Sequence, residues 1–268
     1  MHIDVVSDLH VETWSSIRPY DWHKHKTSDM VLIVGDISYT LAHTICELNR
    51  ACDVYDHVLY IDGNHESIPY MNHNLDYAIA RIETSMRVRS NFVSLYSQSF
   101  EVGDVVFVGA NGWWDFEMTA CGVSKEVATH RFMRKHPTVS NANIFIEKAH
   151  SQHACLKTRL ERISKEKRVV MCTHTVPNAQ CLSLMDLDGV PDVGHFGSSL
   201  LNEFASHPQV LGFVFGHIHN PGYWWIDGKF YLNHARGRNT KCEKSITYTP
   251  HILSIGEVGK RTSSEYDQ

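Results

Sequence analysis

The sequence predicts an α/β (α+β) fold, because short runs of β-branched and other apolar residues recur along the chain and alternate with segments of helical pattern. Two runs, at residues 31–34 and 105–108, are almost purely apolar, as expected of central strands buried on both faces. An Asp-Gly pair between two later strand-like runs is the signal of a β-hairpin. We therefore expect sheets of buried strands with helices packed on them.

The first elements follow from hydrophobic periodicity. The predicted buried strands cover residues 1–7, 30–35, 57–61, 105–109, 168–173 and 210–216. A helix is predicted from residue 143 to about residue 165, where side chains recur at helical spacing on one face. That face comprises Ile144, Ala149, His153, Leu156, Leu160 and Ile163.

The C-terminal third has a different pattern. Residues 223–226 and 229–233 flank Asp227-Gly228 and predict a hairpin, and residues 245–255 predict a further strand. Residues 117–142 contain no clear period, so we predict a long insertion or lid there rather than a separate domain. The chain is accordingly predicted to be a single domain over residues 1–268.

Composition limits the classes of partner. A chain of 268 residues with 43% hydrophobic residues can bury a substantial core. The net charge of −5 argues against a non-specific binder of long nucleic acid, which would need a basic field. It does not argue against a small phosphate-containing substrate, because bound divalent cations can supply local positive charge.

Cysteine usage and the absence of targeting signals predict a cytoplasmic protein. The seven cysteines are scattered and form no C-x-x-C pair, which indicates neither a disulfide framework nor a cysteine zinc site. The first residues show no basic segment followed by an apolar one, so no secretory signal is expected. Apolar runs stay shorter than the about 18 residues that a membrane-spanning helix needs, so no membrane partner is expected.

Five short motifs supply carboxylate, amide and imidazole groups, the ligands that divalent metals need when they activate water. They are Ser7-Asp8-Leu9-His10, Gly35-Asp36-Ile37, Gly63-Asn64-His65-Glu66, Thr173-His174 and Gly216-His217-Ile218-His219. Four of the five close a short, strand-like apolar run. Because catalytic groups in α/β sheets gather at the carboxyl ends of strands, these distant residues are expected to converge.

The spacing within the motifs suggests how they reach a shared site. A glycine precedes Asp36, Asn64 and His217, and it allows a tight turn and close approach. Asp8 and His10, like His217 and His219, are two residues apart, and on an extended segment such side chains point the same way. The Asp36 carboxylate has two oxygens and can bridge two cations about 3.5–4 Å apart.

Each motif taken alone has a structural interpretation as well. Asp8-x-His10 is more often a strand-end turn, and Gly35-Asp36 is a common turn pair. Gly-Asn-His-Glu can be the start of a capped helix. His174 has the weakest support in isolation, which is its position after the run at 168–173. The order of all five indicates a metal centre.

The ordered set resembles the pattern of the calcineurin-like metallophosphoesterase superfamily, which is D-x-H, G-D, G-N-H-[DE], H and G-H-x-H. The resemblance implies a four-layer αββα fold, a β-sandwich of two mixed sheets with helices on both outer faces. The implied ligands of the first metal are Asp8, His10, Asp36 and His219. Those of the second metal are Asp36, Asn64, His174 and His217.

The same resemblance implies the chemistry. Two metals lower the pKa of a bridging water, and the hydroxide attacks phosphorus in line. His65 matches the family's catalytic histidine, which protonates or stabilises the departing alkoxide, and Glu66 matches the acidic residue that orients this histidine. Two divalent ions are the expected cofactors, manganese first, with Fe, Zn, Co or Ni as alternatives.

Candidate substrate contacts lie outside the motifs. Tyr39 completes the G-D-x-x-Y motif of purple acid phosphatases, but those enzymes have glycine where this chain has His10, so Tyr39 is expected to be structural. Trp114 is the candidate for a pocket wall, although packing accounts for each tryptophan equally well. Arg236 is the candidate contact for a substrate phosphate, with Arg238 considered beside it, and both can equally be solvated loop charges.

Differences from the motifs of two branches of the superfamily narrow the set of enzymes that this chain resembles. Tyr39 and Asp62 depart from the Ser/Thr phosphatase motifs, and His65 stands where the lipid A pathway hydrolases carry arginine. The remainder resembles small stand-alone bacterial or phage phosphoesterases, which implies a small phosphoester substrate. Phosphodiesters, including nucleotides or cyclic nucleotides, are slightly preferred over monoesters. The alternatives are a metal-binding interaction scaffold on the same fold, as in the retromer subunit, and a single-strand nuclease that uses the tryptophans.

Overall fold

Two mixed β-sheets form the centre of the computed structural model, which describes residues 1–14, 20–71, 74–119, 122–185, 187, 194–238 and 248–258. The strands of the first sheet are β1 (His2–Val6), β2 (Met30–Val34), β3 (His57–Ile61), β4 (Phe92–Ser94) and β11 (His251–Ser254). Their order is β11-β1-β2-β3-β4, in which β1 to β4 run parallel and β11 runs antiparallel to β1.

The second sheet is also mixed. Its strands are β5 (Phe100–Val102), β6 (Val105–Ala110), β7 (Arg168–Thr173), β8 (Val210–Phe215), β9 (Gly222–Ile226) and β10 (Lys229–Asn233). The order is β5-β6-β7-β8-β10-β9. The strands β6, β7, β8 and β10 run parallel, and the two edge strands run antiparallel to their neighbours. All six predicted buried strands are confirmed, and each predicted end lies within one residue of the observed end.

Helices cover the outer face of each sheet. Those in the first half are α1 (Trp22–His25), α2 (Leu41–Cys52), α3 (Asn64–Ser67), α4 (Tyr77–Met86) and α5 (Lys125–Lys135). Those in the second half are α6 (Asn143–Glu161), α7 (Ala179–Leu184), α8 (Asn202–Ala205) and α9 (Ile255–Val258). Short 3-10 turns lie at Val11–Thr13, Ile68–Tyr70 and Ser199–Leu201. None of the helices in the described residues is long and apolar enough to cross a membrane.

Alternation along the strands divides the core into layers. On β2, Val31 and Ile33 pack in the cluster that includes α2 and α4, whereas Leu32 and Val34 join the cluster between the sheets. That inner cluster combines first-sheet residues with Phe107 and other second-sheet residues. The opposite face of the second sheet packs on α6, α7 and α8. The predicted αββα sandwich is therefore confirmed.

The helix predicted from residue 143 is confirmed, and it ends at Glu161 rather than near residue 165. A second helix, α5, lies within residues 117–142, where the sequence showed no clear period. Ser124 caps it by accepting a hydrogen bond from the Val127 N–H group. Only Ala128 and Phe132 of this helix are buried, so its apolar pattern is too sparse to read from sequence. The lid role of this insertion stays a prediction.

The predicted hairpin is confirmed. Strands β9 and β10 pair antiparallel from Lys229 with Ile226 onward. Asp227 and Gly228 have φ values of 49° and 74°, the left-handed pair that a type I′ turn requires. The further predicted strand exists as β11 at His251–Ser254, and residues 245–247 of that prediction lie outside the described residues.

Candidate metal centre

The structure brings the seven predicted metal ligands into one cluster at the carboxyl ends of the strands. Their donor atoms form two groups, in each of which all atoms lie within 4.8 Å of one another. The first group is Asp8, His10 and His219, and the second is Asp36, His174 and His217. The Asn64 Oδ1 atom joins the second group, 3.1 Å from His174 Nε2 and 2.8 Å from His217 Nδ1.

The first group is held by close approach of imidazole and carboxylate atoms. His219 Nε2 lies 3.1 Å from His10 Nε2 and 3.3 Å from Asp8 Oδ1. Asp8 and His10 are fully buried, whereas about a third of the His219 side chain (34%) is exposed. The Asp8 carboxylate is fixed from behind by the Ser7 hydroxyl at 2.6 Å. The remaining lone pairs of this group therefore converge on one point.

In the second group, backbone carbonyls fix which imidazole nitrogen is available. His174 Nδ1 lies 2.8 Å from the Val34 carbonyl oxygen, so this nitrogen carries the proton. His217 Nε2 lies 2.8 Å from the His195 carbonyl oxygen, so this nitrogen also carries the proton. His174 Nε2 and His217 Nδ1 are left to bind a cation, as expected when a second shell of hydrogen bonds orients metal-binding histidines.

Asp36 lies between the two groups. Its Oδ1 atom accepts a 2.8 Å hydrogen bond from the His65 backbone N–H group. Its Oδ2 atom lies 3.8 Å from His10 Nε2 and 3.3 Å from His174 Nε2. One carboxylate oxygen therefore faces both the first and the second ligand group.

The backbone that presents these ligands is turned rather than extended. Asp8, His10, Asp36 and His217 all have φ between 42° and 68°, in the left-handed region that non-glycine residues rarely adopt. The expectation that the paired ligands share a direction because they sit on an extended segment is therefore wrong for both motifs. The left-handed turns are stabilised by ladder-like bonds such as Asp8 N–H to the Gly35 carbonyl at 3.0 Å. Each left-handed residue therefore sets the direction of its own side chain.

Two glycines in the motifs allow backbone to approach the ligands closely. A Cβ atom at Gly63 would collide with the Asp36 carboxylate. A Cβ atom at Gly216 would collide with the Ser7 hydroxyl and the Asp8 carboxylate. These two glycines therefore allow close packing around the site, and the expected close approach of the backbone to a metal stays a prediction.

The electrostatics of the cluster fit bound cations. Burial alone would lower the pKa of His174, but the charges of Asp36 and Asp8 outweigh it and raise this pKa to about 10. Burial would raise the pKa of Asp8, but its hydrogen bond with His219 and the nearby His174 lower it to about 2. The cluster thus favours positive charge at its centre. Two carboxylates, one amide oxygen and four imidazoles are a donor set that suits two divalent ions.

Glu66 has different partners from those that the resemblance implies. Its carboxylate accepts hydrogen bonds from the backbone N–H groups of Asp36 at 3.0 Å, Ile37 at 2.6 Å and Gly63 at 2.9 Å. These contacts tie the loop after β2 to the loop after β3. Glu66 was expected to orient the His65 side chain. Its fully buried carboxylate lies beneath the loops and instead orients the backbone at Asp36.

Glu66→Gln is expected to lower the free energy of unfolding by about 1–3 kcal/mol, because the amide NH₂ group cannot accept and leaves two buried N–H groups unpaired, those of either Asp36 and Gly63 or Ile37 and Ser38. Urea unfolding of the metal-free protein measures this loss. The exposed Glu147 on α6 provides the matched control Glu147→Gln, which we expect to be neutral. Normal stability of Glu66→Gln combined with lost turnover would instead support the implied role in orienting His65.

His65 lies beside the ligands and is held by a cation. Its Nε2 atom lies 2.8 Å from Arg238 Nη2, which also donates to the Tyr39 hydroxyl at 3.1 Å. The Tyr39 ring packs on His65 with a centroid distance of 4.1 Å. Burial lowers the pKa of His65 to about 4, so the imidazole is neutral near pH 7 and accepts at Nε2. A neutral His65 in this arrangement is not poised to donate a proton from Nε2.

A pocket of about 500 Å³ opens over the cluster. It is lined by Asp36, Tyr39, Asn64, His65, Ile68, Trp114, Phe132, Lys135, His136, His195, His217, Ile218, His219 and Arg238. The Trp114 candidate is in this lining, but its fully buried ring stacks on His217 at 5.8 Å rather than standing free as a wall.

Arg236 is not among the residues that line the pocket. Its guanidinium lies 3.9 Å from the centroid of the Trp14 ring, so the structure places it in an aromatic contact. Arg238, two residues on, lines the pocket instead. His195, Lys135 and His136 also line it, and no motif in the sequence marks them. Strand-end position marked the candidate metal ligands, whereas these residues come from loops and a helix end.

Comparison with known proteins assigns the family. Residues 1–221 match the family model of the calcineurin-like phosphoesterases. The fold is similar to a phosphopantetheinyl hydrolase from Mycobacterium tuberculosis, with a TM-score of 0.70 and 14% identity over 94% of this chain and 95% of that chain. A provisional 5′-nucleotidase from Staphylococcus aureus, solved with α-ketoglutarate, gives a TM-score of 0.40 and 17% identity over 87% of this chain and 48% of that chain.

A comparison with curated proteins found no significant match. The family model nevertheless spans well over half of the chain, and the predicted resemblance is confirmed. The chain belongs to the calcineurin-like phosphoesterase family and is a metal-dependent phosphoester hydrolase.

Proposed function

We propose that this chain is a dinuclear enzyme that hydrolyses small phosphoesters. The observation that carries the proposal is the placement of Asp36, whose Oδ2 atom faces His10 of one ligand group and His174 of the other. A carboxylate in that position suits a bridge between two divalent ions. Such ions, when bound, supply a nucleophilic hydroxide near neutral pH and positive charge for the phosphoryl oxygens.

The residues around the ligands have separate tasks. Asn64 Oδ1, His174 Nε2 and His217 Nδ1 would hold the second ion, and their contacts of 2.8 and 3.1 Å keep them converged without it. The first ion would lie among Asp8, His10 and His219, with the exposed His219 nearest to solvent. Substrate enters from that open side of the pocket.

Arg238 and His65 are proposed to face the leaving group. The guanidinium is always charged, and His65 fixes its direction by accepting from Nη2 at 2.8 Å. Developing negative charge on the departing alkoxide can then be stabilised electrostatically. We assign the proposed substrate-phosphate contact to Arg238 rather than Arg236, because of the two only Arg238 lines the pocket.

The pocket suits a small substrate. Its volume of about 500 Å³ is in the range of small-molecule sites. The net charge of −5 argues against a long polyanion. Phosphodiesters, including nucleotides and cyclic nucleotides, are proposed to be slightly preferred over monoesters, with manganese as the first metal to test. A phosphopantetheinyl ester belongs in the panel because a hydrolase of that name shares the fold.

The test compares hydrolysis of bis(p-nitrophenyl) phosphate and p-nitrophenyl phosphate after chelation and readdition of Mn²⁺. Metal-dependent turnover of the diester is expected, and the Asp36→Asn substitution should lower it by roughly 10³-fold or more. Preference for the monoester would direct the search to phosphatase substrates. Absence of turnover over the whole panel, with two ions bound, would contradict the proposal and favour the interaction scaffold.

A further inference from the structure

The described residues that line the pocket carry more basic than acidic side chains, whereas the chain as a whole has a negative net charge. Among the described residues of this lining, Lys135 and Arg238 are fixed cations and Asp36 is the one carboxylate. Asp36 faces the proposed metal ions. The chain as a whole carries a net charge of −5. Lys135 and Arg238 are therefore placed to contact anionic groups of a ligand in addition to the phosphoryl group at the proposed metal centre.

The two cations lie on different flanks of the site. Arg238 contacts His65, whose ring lies 4.6 Å from that of His10. Lys135 and His136 lie on the other flank, near the buried His195 beside His217: burial lowers the pKa of His195, and the neighbouring His217, Lys135 and His136 lower it further. A ligand that reaches from the ligand cluster toward α5 would meet Lys135 and His136, whereas one that reaches toward Tyr39 would meet Arg238.

The end of α5 is held in place by aromatic packing. Phe132 is fully buried and lies 5.7 Å from the Trp114 ring and 4.6 Å from the His136 ring. Trp114 in turn stacks on the proposed ligand His217. Lys135 itself is exposed at the rim, but the backbone that carries it is fixed to the floor of the site.

Helix electrostatics give an alternative account of the basic residues here. Arg134 and Lys135 both lie in the last turn of α5, where cations suit the helix dipole. Only Lys135 of the two lines the pocket. The dipole accounts for both residues equally and does not explain the placement of Lys135, with His136, in the lining. Arg134 therefore provides a matched control for any role in binding.

We propose that Lys135 and His136 form a subsite for a second anionic group of the substrate, a phosphate-type group that is not the one hydrolysed. The proposal rests on the proposed function, since the metal centre would hold the reacting phosphoryl group. It narrows the substrate class to small phosphoesters that carry an additional phosphate. A charge-assisted contact with Lys135 would supply the added affinity.

The test measures binding by calorimetry, with protein loaded with Mn²⁺ and freed of excess ion. Alkane bisphosphonates with about three to six methylenes between the phosphonates are compared with monophosphonates of equal chain length. A phosphonate has no ester bond, so binding is measured without turnover. At one or more lengths the bisphosphonate is expected to bind about tenfold more tightly. Lys135→Gln should abolish this advantage, and Arg134→Gln should retain it.

The outcomes separate this proposal from the proposed function. Equal affinity of the two series at every length, or an advantage that survives in Lys135→Gln, overturns the subsite even if esters are hydrolysed. An advantage that depends on Lys135 in a protein that hydrolyses no ester supports the subsite and overturns the hydrolytic role. The advantage should also shrink at high salt, since an exposed ammonium group is screened.

Discussion

Asp36→Asn is expected to remove both bound metal ions and to lower kcat/KM by roughly 10³-fold or more. The Oδ2 atom of Asp36 lies within 3.8 Å of His10 Nε2 and 3.3 Å of His174 Nε2, so one substitution affects both ligand groups. An asparagine keeps the size of the side chain and can still accept the His65 N–H bond. Metal content per chain, measured by elemental analysis together with turnover, tests the result.

Two other aspartates serve as controls for this substitution. Asp8→Asn should cost only the first ion, because Asp8 belongs to one ligand group. Asp62→Asn should cost neither ion, since Asp62 is buried nearby but bonds to Ser67 Oγ at 3.2 Å and to Asn111. Two ions retained in Asp36→Asn, or the loss of both in Asp62→Asn, would contradict the bridging role.

His65→Ala is expected to retain both ions and to lower turnover at least roughly 100-fold for esters with poor leaving groups. The reason is that the substitution removes the partner that fixes Arg238 Nη2 at 2.8 Å. The loss should be smaller for p-nitrophenyl esters, whose leaving group needs little stabilisation. Turnover of alkyl and p-nitrophenyl esters of the same acid, beside metal content, measures both effects.

Loss of metal in His65→Ala would identify His65 as a ligand instead. That alternative is concrete, because His65 Nε2 lies 3.7 Å from Asp36 Oδ2 and forms a third group with His10 and Asp36. Tyr39→Phe is the matched control, since it removes the hydroxyl that accepts from Arg238 but leaves the ring packed on His65. We expect Tyr39→Phe to change turnover far less than His65→Ala.

The clustering of the candidate metal ligands was predictable because these residues follow buried strands. The runs ending before Asp8, Asp36 and Asn64 are parallel neighbours in one sheet, so their carboxyl ends must meet. The runs before His174 and His217 are parallel neighbours in the other sheet. Hydrophobic pattern fixes where each strand ends, and parallel pairing brings those ends together.

The tasks of residues outside the motifs were not predictable in the same way. Glu66 was matched to His65 by resemblance, but its carboxylate accepts hydrogen bonds from four backbone N–H groups in two loops. The path of the loop after β10 decides which arginine lines the pocket. Arg236 packs on the Trp14 ring, and Arg238 lines the pocket. Sequence distance carries no information about such turns.

Local pattern in this chain thus specified the strands, the hairpin, the long helix and the set of candidate metal-binding side chains, because each depends on residue type and spacing within a few positions. The direction of each ligand came from left-handed turns at Asp8, His10, Asp36 and His217 that the folded loops impose. The charged flank at Lys135 exists because Phe132 anchors α5 against Trp114, more than ten residues away. Contacts between distant segments govern these features, so they emerge only when the two sheets and their loops pack together.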